Sequence, residues 1–317
     1  MITVFFTVLE QMIRILLFLV LGYALNRLRI LPKGAGSGIS RMVTMVFLPC
    51  LLIYNNTTEF NLANIGEYGQ LVLVGGLFWA AITLLSVPVA RKLSGGNALE
   101  NGIYLYGLSF ANTGAVGTPL VLALMGTAGL FQFNLYLFVT SVMTYLWGIG
   151  LFDGEKKKRT LSQFLLNLKN PITISMLLGL LLGALNGKAW MPTVAVSMAK
   201  DLGACYVPVS LVMVGYSIAD YPLNEVFNRK KSYWFTLLRL VIIPLAVVLA
   251  SKILGLSPFM ATLAVLAAAS PCGMNTVVFP ASYGQDCRTG ASIVLLSSVS
   301  AVITVPLLYT LVQFLYQ

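Results

Sequence analysis

The sequence predicts an all-α polytopic membrane protein: ten transmembrane helices as a 5+5 inverted repeat, with broken crossover helices 4 and 9. Three observations predict it. First, 58% of the 317 residues are apolar and only 9% are charged, against roughly 25% charged in an average soluble domain. A water-soluble globule of this composition would have too little polar surface, and mean hydropathy is +0.88. Second, the apolar runs are continuous over about 20 residues, the length of a membrane helix, rather than alternating as in a β-barrel. Third, features of the first half recur in the second at a nearly constant offset. The same composition excludes intrinsic disorder. The net charge of +10, from 20 Lys/Arg against 10 Asp/Glu, is dispersed between apolar runs, so a nucleic-acid partner is excluded and the lipid bilayer is the expected one.

The spans fall at about residues 4–27, 38–55, 69–91, 101–125, 130–151, 170–187, 194–219, 233–254, 258–285 and 289–315. The first 13 residues hold no Lys or Arg, so no signal-peptide n-region is expected and span 1 is read as retained. Positive charge follows every odd-numbered span: Arg27, Arg29, Lys33 and Arg41, then Arg91 and Lys92, then Lys156, Lys157, Lys158 and Arg159, then Arg229, Lys230 and Lys231, then Arg288. The even-numbered loops carry little beyond Glu59, Glu67, Lys188 and Lys252. By the positive-inside rule this predicts a multi-pass cell-membrane protein with both termini outside. It places the 153–169 loop in the cytoplasm, between a first repeat at 1–152 and a second at 170–317.

The repeat is read from an offset of about 159–160 residues. It brings Ala24-Leu25-Asn26 onto Ala184-Leu185-Asn186, Pro32 onto Pro192, Arg41 onto Lys200, Pro49 onto Pro208, and Asn112-Thr113-Gly114 onto Pro271-Cys272-Gly273. Five spans per half is an odd number, so the halves cross in opposite senses, as in secondary transporters. Near the middle of spans 4 and 9, helix-breaking and small polar residues combine: Asn112, Thr113, Gly114 and Pro119 in one, Pro271, Cys272, Gly273 and Asn275 in the other. An unwound backbone in hydrocarbon leaves costly unpaired polar groups, so matched breaks predict one shared midplane site. Half-helix N-termini there favour an anion such as a carboxylate. Asn112, Thr113 and Asn275 add donors and acceptors without a buried charge.

The segments Ala111-Asn112-Thr113-Gly114, Ser270-Pro271-Cys272-Gly273-Met274-Asn275 and Pro280-Ala281-Ser282-Tyr283-Gly284 resemble the auxin efflux carrier family, which includes plant auxin exporters and bacterial malate or malonate permeases. Leu48-Pro49 and Pro306 fit as well, and the resemblance covers the whole chain. It implies a bile-acid-symporter-like architecture, with spans 1, 2, 6 and 7 as scaffold, spans 3–5 and 8–10 as transport subdomain, and a homodimer formed through the scaffold. It maps substrate contacts onto Asn112, Thr113, Pro271, Cys272 and Asn275, to which the residue reading adds Gly114 and Gly273. The first break departs from the plant pattern, with Thr113-Gly114 where those carriers have a Pro flanked by polar residues, and the central loop is short, at about 18 residues.

Charged residues inside spans are functional candidates. Glu10 and Arg14, four apart, are expected to pair near the outer edge. Arg239 is expected to snorkel to the interface. Arg41 and Lys200, each eight residues before Pro49 or Pro208, are candidate gating cations. The chain has no His, and its four Cys (Cys50, Cys205, Cys272, Cys287) are scattered, so neither a metal site nor a cofactor is expected. No carboxylate is placed mid-membrane. The expected function is a secondary carrier for a small organic anion. Movement down the anion's own gradient ranks first, sodium coupling through Asn, Thr and Ser oxygens (with Ser297, Ser298 and Ser300 near) second, and proton coupling third. A channel and a non-transporting receptor, sensor or intramembrane enzyme stand as alternatives.

Overall fold

The computed structural model describes residues 2–32, 35–152, 171–220 and 227–316. The predicted cytoplasmic loop 153–169, with its Lys156–Arg159 cluster, lies outside the described residues, as does Lys33. Helix α1 (Ile2–Arg27) is followed by α2 (Ala35–Met42), a π turn at Val43–Phe47 and α3 (Leu48–Glu59). Next come α4 (Ile65–Ser94), α5 (Ala98–Ser109), a second π turn at Thr113–Gly117, α6 (Thr118–Tyr136) and α7 (Phe138–Leu146). The second half holds α8 (Pro171–Ala184), α9 (Gly187–Trp190), α10 (Thr193–Ala204) and α11 (Tyr206–Ile218). It continues through α12 (Lys230–Leu237), a third π turn at Leu238–Ile242, α13 (Ile243–Ile253), α14 (Pro258–Ala269), α15 (Asn275–Ser282) and α16 (Arg288–Leu315).

Seven helical segments among the described residues are long and apolar enough to cross a membrane, and α8 and α14 are shorter apolar helices. One of the seven, Thr113–Tyr136, is interrupted at Gly126, whose φ of 69° and ψ of −166° leave the helical region. That conformation is open to glycine and strained for other residues. The interruption falls between the predicted spans 101–125 and 130–151.

Each π turn ends two residues before a proline, with one helical residue between: Leu48-Pro49, Thr118-Pro119 and Ile243-Pro244. Proline has no N–H and its ring crowds the carbonyl four residues back. The residue before it therefore donates five residues back, as Leu48 does to Val43, Thr118 to Thr113 and Ile243 to Leu238. A wider turn keeps the helix intact where a regular one would clash.

The bundle closes through small residues. A Cβ on Gly22 would strike the Val212 carbonyl, and one on Gly215 would strike the Leu19 carbonyl, so α1 and α11 cross backbone against backbone. Small residues are how membrane helices approach closely without a hydrophobic force between them. The outward faces of α1, α4, α13 and α16 carry exposed Leu17, Leu77, Leu84, Leu249 and Ile303, as a lipid-facing surface requires.

Polar contacts collect at the two ends. At one end Glu100 meets Arg229 (3.7 Å) and Lys231 (3.8 Å), Thr289 bridges Glu100 and Arg229, and Gln285 donates to the Phe152 carbonyl. These residues come from the loops after predicted spans 3, 5, 7 and 9. At the other end the ammonium of Lys252 sits 4.2 Å from the Tyr316 ring centre. The expected Arg14–Glu10 pair is present at 2.6 Å, with both side chains well exposed.

Candidate functional site

The site is built where two helices stop. Helix α5 ends at Ser109, and Phe110 and Ala111 run extended to Asn112. The Asn112 side-chain oxygen accepts from the Ala115 N–H (3.3 Å) and so caps the helix that follows. Helix α14 ends at Ala269, and the chain resumes as α15 at Asn275. The two gaps pair with each other. Asn112 N–H donates to the Pro271 carbonyl at 2.8 Å, and Ala111 and Cys272 form an antiparallel bridge. Cys272 N–H donates to Ser297 Oγ (3.0 Å) on α16, and Thr276 Oγ1 donates to the Gly273 carbonyl (2.8 Å). Several backbone groups freed by the breaks are thus met by the other break, by α15 or by α16, as hydrocarbon demands of an unwound segment.

On the side where α6 and α15 begin lies a cavity of about 320 Å³. Asn112, Thr113, Gly114, Gly273 and Asn275 line it, together with Tyr106, Tyr206 and Asn134. No charged side chain lines it among the described residues. The N-terminal N–H groups and positive dipole ends of two half-helices bias it toward negative charge.

Not all predicted contacts reach it. Pro271 and Cys272 are buried behind the break, with Cys272 0% exposed, and act through their backbones. Arg41 and Lys200 are exposed at the surface and do not line the cavity, although Ser40 and Thr44 beside Arg41 do. Pro49 is buried after the first π turn, and Pro208 lies in the first turn of α11 between the lining residues Tyr206 and Ser210. Ser297 holds the Cys272 N–H and donates to the Val294 carbonyl.

Two tyrosines escaped the sequence reading. Asn275 Nδ2 donates to the Tyr106 hydroxyl at 2.9 Å, which ties α15 to α5. The Tyr106 ring packs on Phe110, Phe152 and Phe279. The Tyr206 hydroxyl sits where a Cβ on Gly114 would be, at 2.6 Å, so Gly114 lets α11 approach the first break. An aromatic residue inside an apolar run carries no mark of such a role.

Arg239 corrects an expectation. It does not snorkel; it is 2% exposed, and its Nη1 donates to the Leu108 carbonyl at 3.4 Å. The expectation assumed an open route along span 8 to the interface, but the third π turn packs against α14 and α16, and the guanidinium turns inward. There it lies by the last turn of α5 and by Ala264, Ala267 and Ala268 of α14. Both helices end at this point, and a cation is favoured at helix C-termini.

A multi-pass helical bundle with paired helix breaks opening on a polar, uncharged cavity defines a membrane transporter. The chain belongs to the membrane transport protein family, whose model matches residues 7–309. This is the family of the auxin efflux carriers that the motifs at the breaks resemble. A protein of Methanothermobacter thermautotrophicus described as an uncharacterized transporter is 26% identical over 308 residues, covering 94% of this chain and 96% of that one.

Proposed function

We propose that the protein is a secondary carrier that moves a small organic anion, a carboxylate, across the cell membrane by alternating access, with substrate bound in the 320 Å³ cavity. The observation that carries this reading is the cavity wall: two half-helix N-termini, Asn112 and Asn275, and no acidic or basic side chain among the described residues. The Asn112 oxygen is taken by its own helix, so its amide N–H₂ is the group left for substrate. Pairing of Asn112 with Pro271, positions the 159-residue offset aligns, supports the inverted repeat with crossed helices 4 and 9. Collection of the loops after predicted spans 3, 5, 7 and 9 at one end, with Tyr316 beside Lys252 at the other, supports a C-terminus on the side opposite those loops.

With no carboxylate, Lys or Arg on the cavity wall among the described residues, and no His in the chain, the substrate crosses with its own charge. Transport is then driven by the anion's gradient and the membrane potential, about 2.3 kcal/mol per elementary charge per 100 mV. An inside-negative potential drives a monoanion outward.

The test is flux of a panel of radiolabelled carboxylates in proteoliposomes, with potassium–valinomycin potentials at fixed pH and no sodium. Saturable flux that follows the potential is the expected result. Flux indifferent to potential but abolished without sodium or a pH gradient would replace this reading with a symporter of the same fold.

A further inference from the structure

Behind the paired breaks, on the side where α5 and α14 end, lies a second cavity of about 40 Å³. Arg239, Ser109 and Trp79 line it. The Nε of Arg239, the hydroxyl of Ser109 and the indole Nε1 of Trp79 are all buried, and none has a hydrogen-bond partner among the described residues. Arg239 is 2% exposed and Ser109 7%. A guanidinium does not shed its proton in a protein, so burial cannot neutralise it. Its contact with the Leu108 carbonyl is long at 3.4 Å, and the carboxylates paired in this fold (Glu10, Glu100, Asp286) are engaged elsewhere. An unpaired buried charge is among the most costly features a fold can hold, so compensation is expected beside it.

Two of the three free groups can only donate, and the third, a hydroxyl, can donate as well. Donors around a fixed positive charge select an anion over a cation or a neutral ligand. The volume exceeds the roughly 10–15 Å³ that one water requires and is far below that of an organic acid's body. Ala111, Thr113, Leu137 and Thr140 wall both this cavity and the larger one, so the two are neighbours across these residues.

We propose that Arg239, Ser109 and Trp79 form a binding site for a small monovalent anion of chloride size, distinct from the substrate cavity and neighbouring it. The anion neutralises Arg239 and occupies the donors left over where the two helices end. A carboxylate head inserted from the larger cavity offers the same chemistry, and the experiment separates the two sources.

Trp79 provides the probe, because iodide quenches indole fluorescence on contact. In full-length detergent-purified protein, Trp147→Phe, Trp190→Phe and Trp234→Phe leave Trp79 as the single tryptophan. Iodide should quench it saturably, and chloride should relieve the quenching. Arg239→Met keeps the length, removes a buried charge and should weaken iodide binding at least about tenfold; Ser109→Ala, which keeps the charge, should weaken it several-fold. Where the single-tryptophan protein is not recovered, thermal unfolding of the otherwise unaltered protein replaces it: Tm should be higher in sodium chloride than in sodium gluconate, and Ser109→Ala should shrink the difference. Quenching that is linear in iodide and unchanged by Arg239→Met, or a Tm equal in both salts, would overturn the site and leave a water-filled cavity. Relief by acetate but not by chloride would overturn the chloride assignment in favour of a substrate carboxylate. No substrate flux enters these measurements, so their failure leaves the carrier reading untouched.

Discussion

Two cavities share the wall formed by Ala111 and Thr113, and they answer the same electrostatic problem in opposite ways. The larger faces the beginnings of α6 and α15, holds no charged side chain among the described residues, and leaves the positive helix ends unopposed. The smaller faces the ends of α5 and α14, where carbonyls point without helical partners, and the protein places Arg239 there. Breaking two helices at one depth creates four helix ends, two of each sign. One sign is met by a permanent residue of the chain, and the other is left for whatever the larger cavity binds.

Reversing the built-in charge gives the largest expected effect. Arg239→Glu would aim a buried carboxylate at carbonyl ends of the same sign, a cost of about 3–5 kcal/mol for an uncompensated buried charge. Loss of monodisperse protein on size-exclusion chromatography is the outcome expected; a stable, active variant would erase the contrast between the two cavities. On the neutral side, Asn112→Ala removes a helix cap worth about 0.5–2 kcal/mol and leaves a folded protein. If the Asn112 amide also donates to a carboxylate, affinity should fall about 10- to 150-fold. Full affinity in a folded Asn112→Ala protein would place the substrate elsewhere.

Smaller effects separate the two breaks. Gly114→Ala puts a Cβ 2.6 Å from the Tyr206 hydroxyl, whereas a Cβ on Gly273 meets nothing closer than 3.8 Å. Transport by Gly114→Ala should drop and recover in part with Tyr206→Phe, while Gly273→Ala should resemble the wild type; equal losses would mean that α11 does not fit against Gly114. Tyr106→Phe and Asn275→Ala should each cost about 0.5–1.5 kcal/mol, with a double mutant costing less than the sum, since they remove one shared hydrogen bond. Last, flux of a fully ionised substrate at fixed potential should be flat from about pH 6 to 8, the range in which His would titrate, because the chain has none and no carboxylate lines the cavity among the described residues. A bell-shaped profile would point to a titrating group outside the cavity wall.

Membership of the transporter class was legible in the sequence, because in a bilayer every backbone polar group must be satisfied locally and composition reports this directly. The positions of the two breaks were legible for a related reason: Gly114, Pro271 and Gly273 interrupt apolar runs where any interruption is costly. Helix boundaries were partly legible. Pro49, Pro119 and Pro244 were visible, but whether proline would end a helix or widen it into a π turn depends on the packing around it.

Tertiary structure alone decided which atoms meet. Nothing in a linear pattern says that Asn112 N–H finds the Pro271 carbonyl, that Tyr106 reaches Asn275, or that Cys272 faces away from the cavity beside it. Arg239 marks the boundary most clearly. From the sequence it is one cation two turns inside an apolar run, and a long side chain near a helix end finds water at little cost. Only the packing of the third π turn against α14 and α16 closes that route, and only the meeting of two helix ends gives the buried charge something to oppose. Composition and punctuation fix the environment each segment can tolerate, while the partner that satisfies a given polar group is a long-range contact and exists only once the helices are packed.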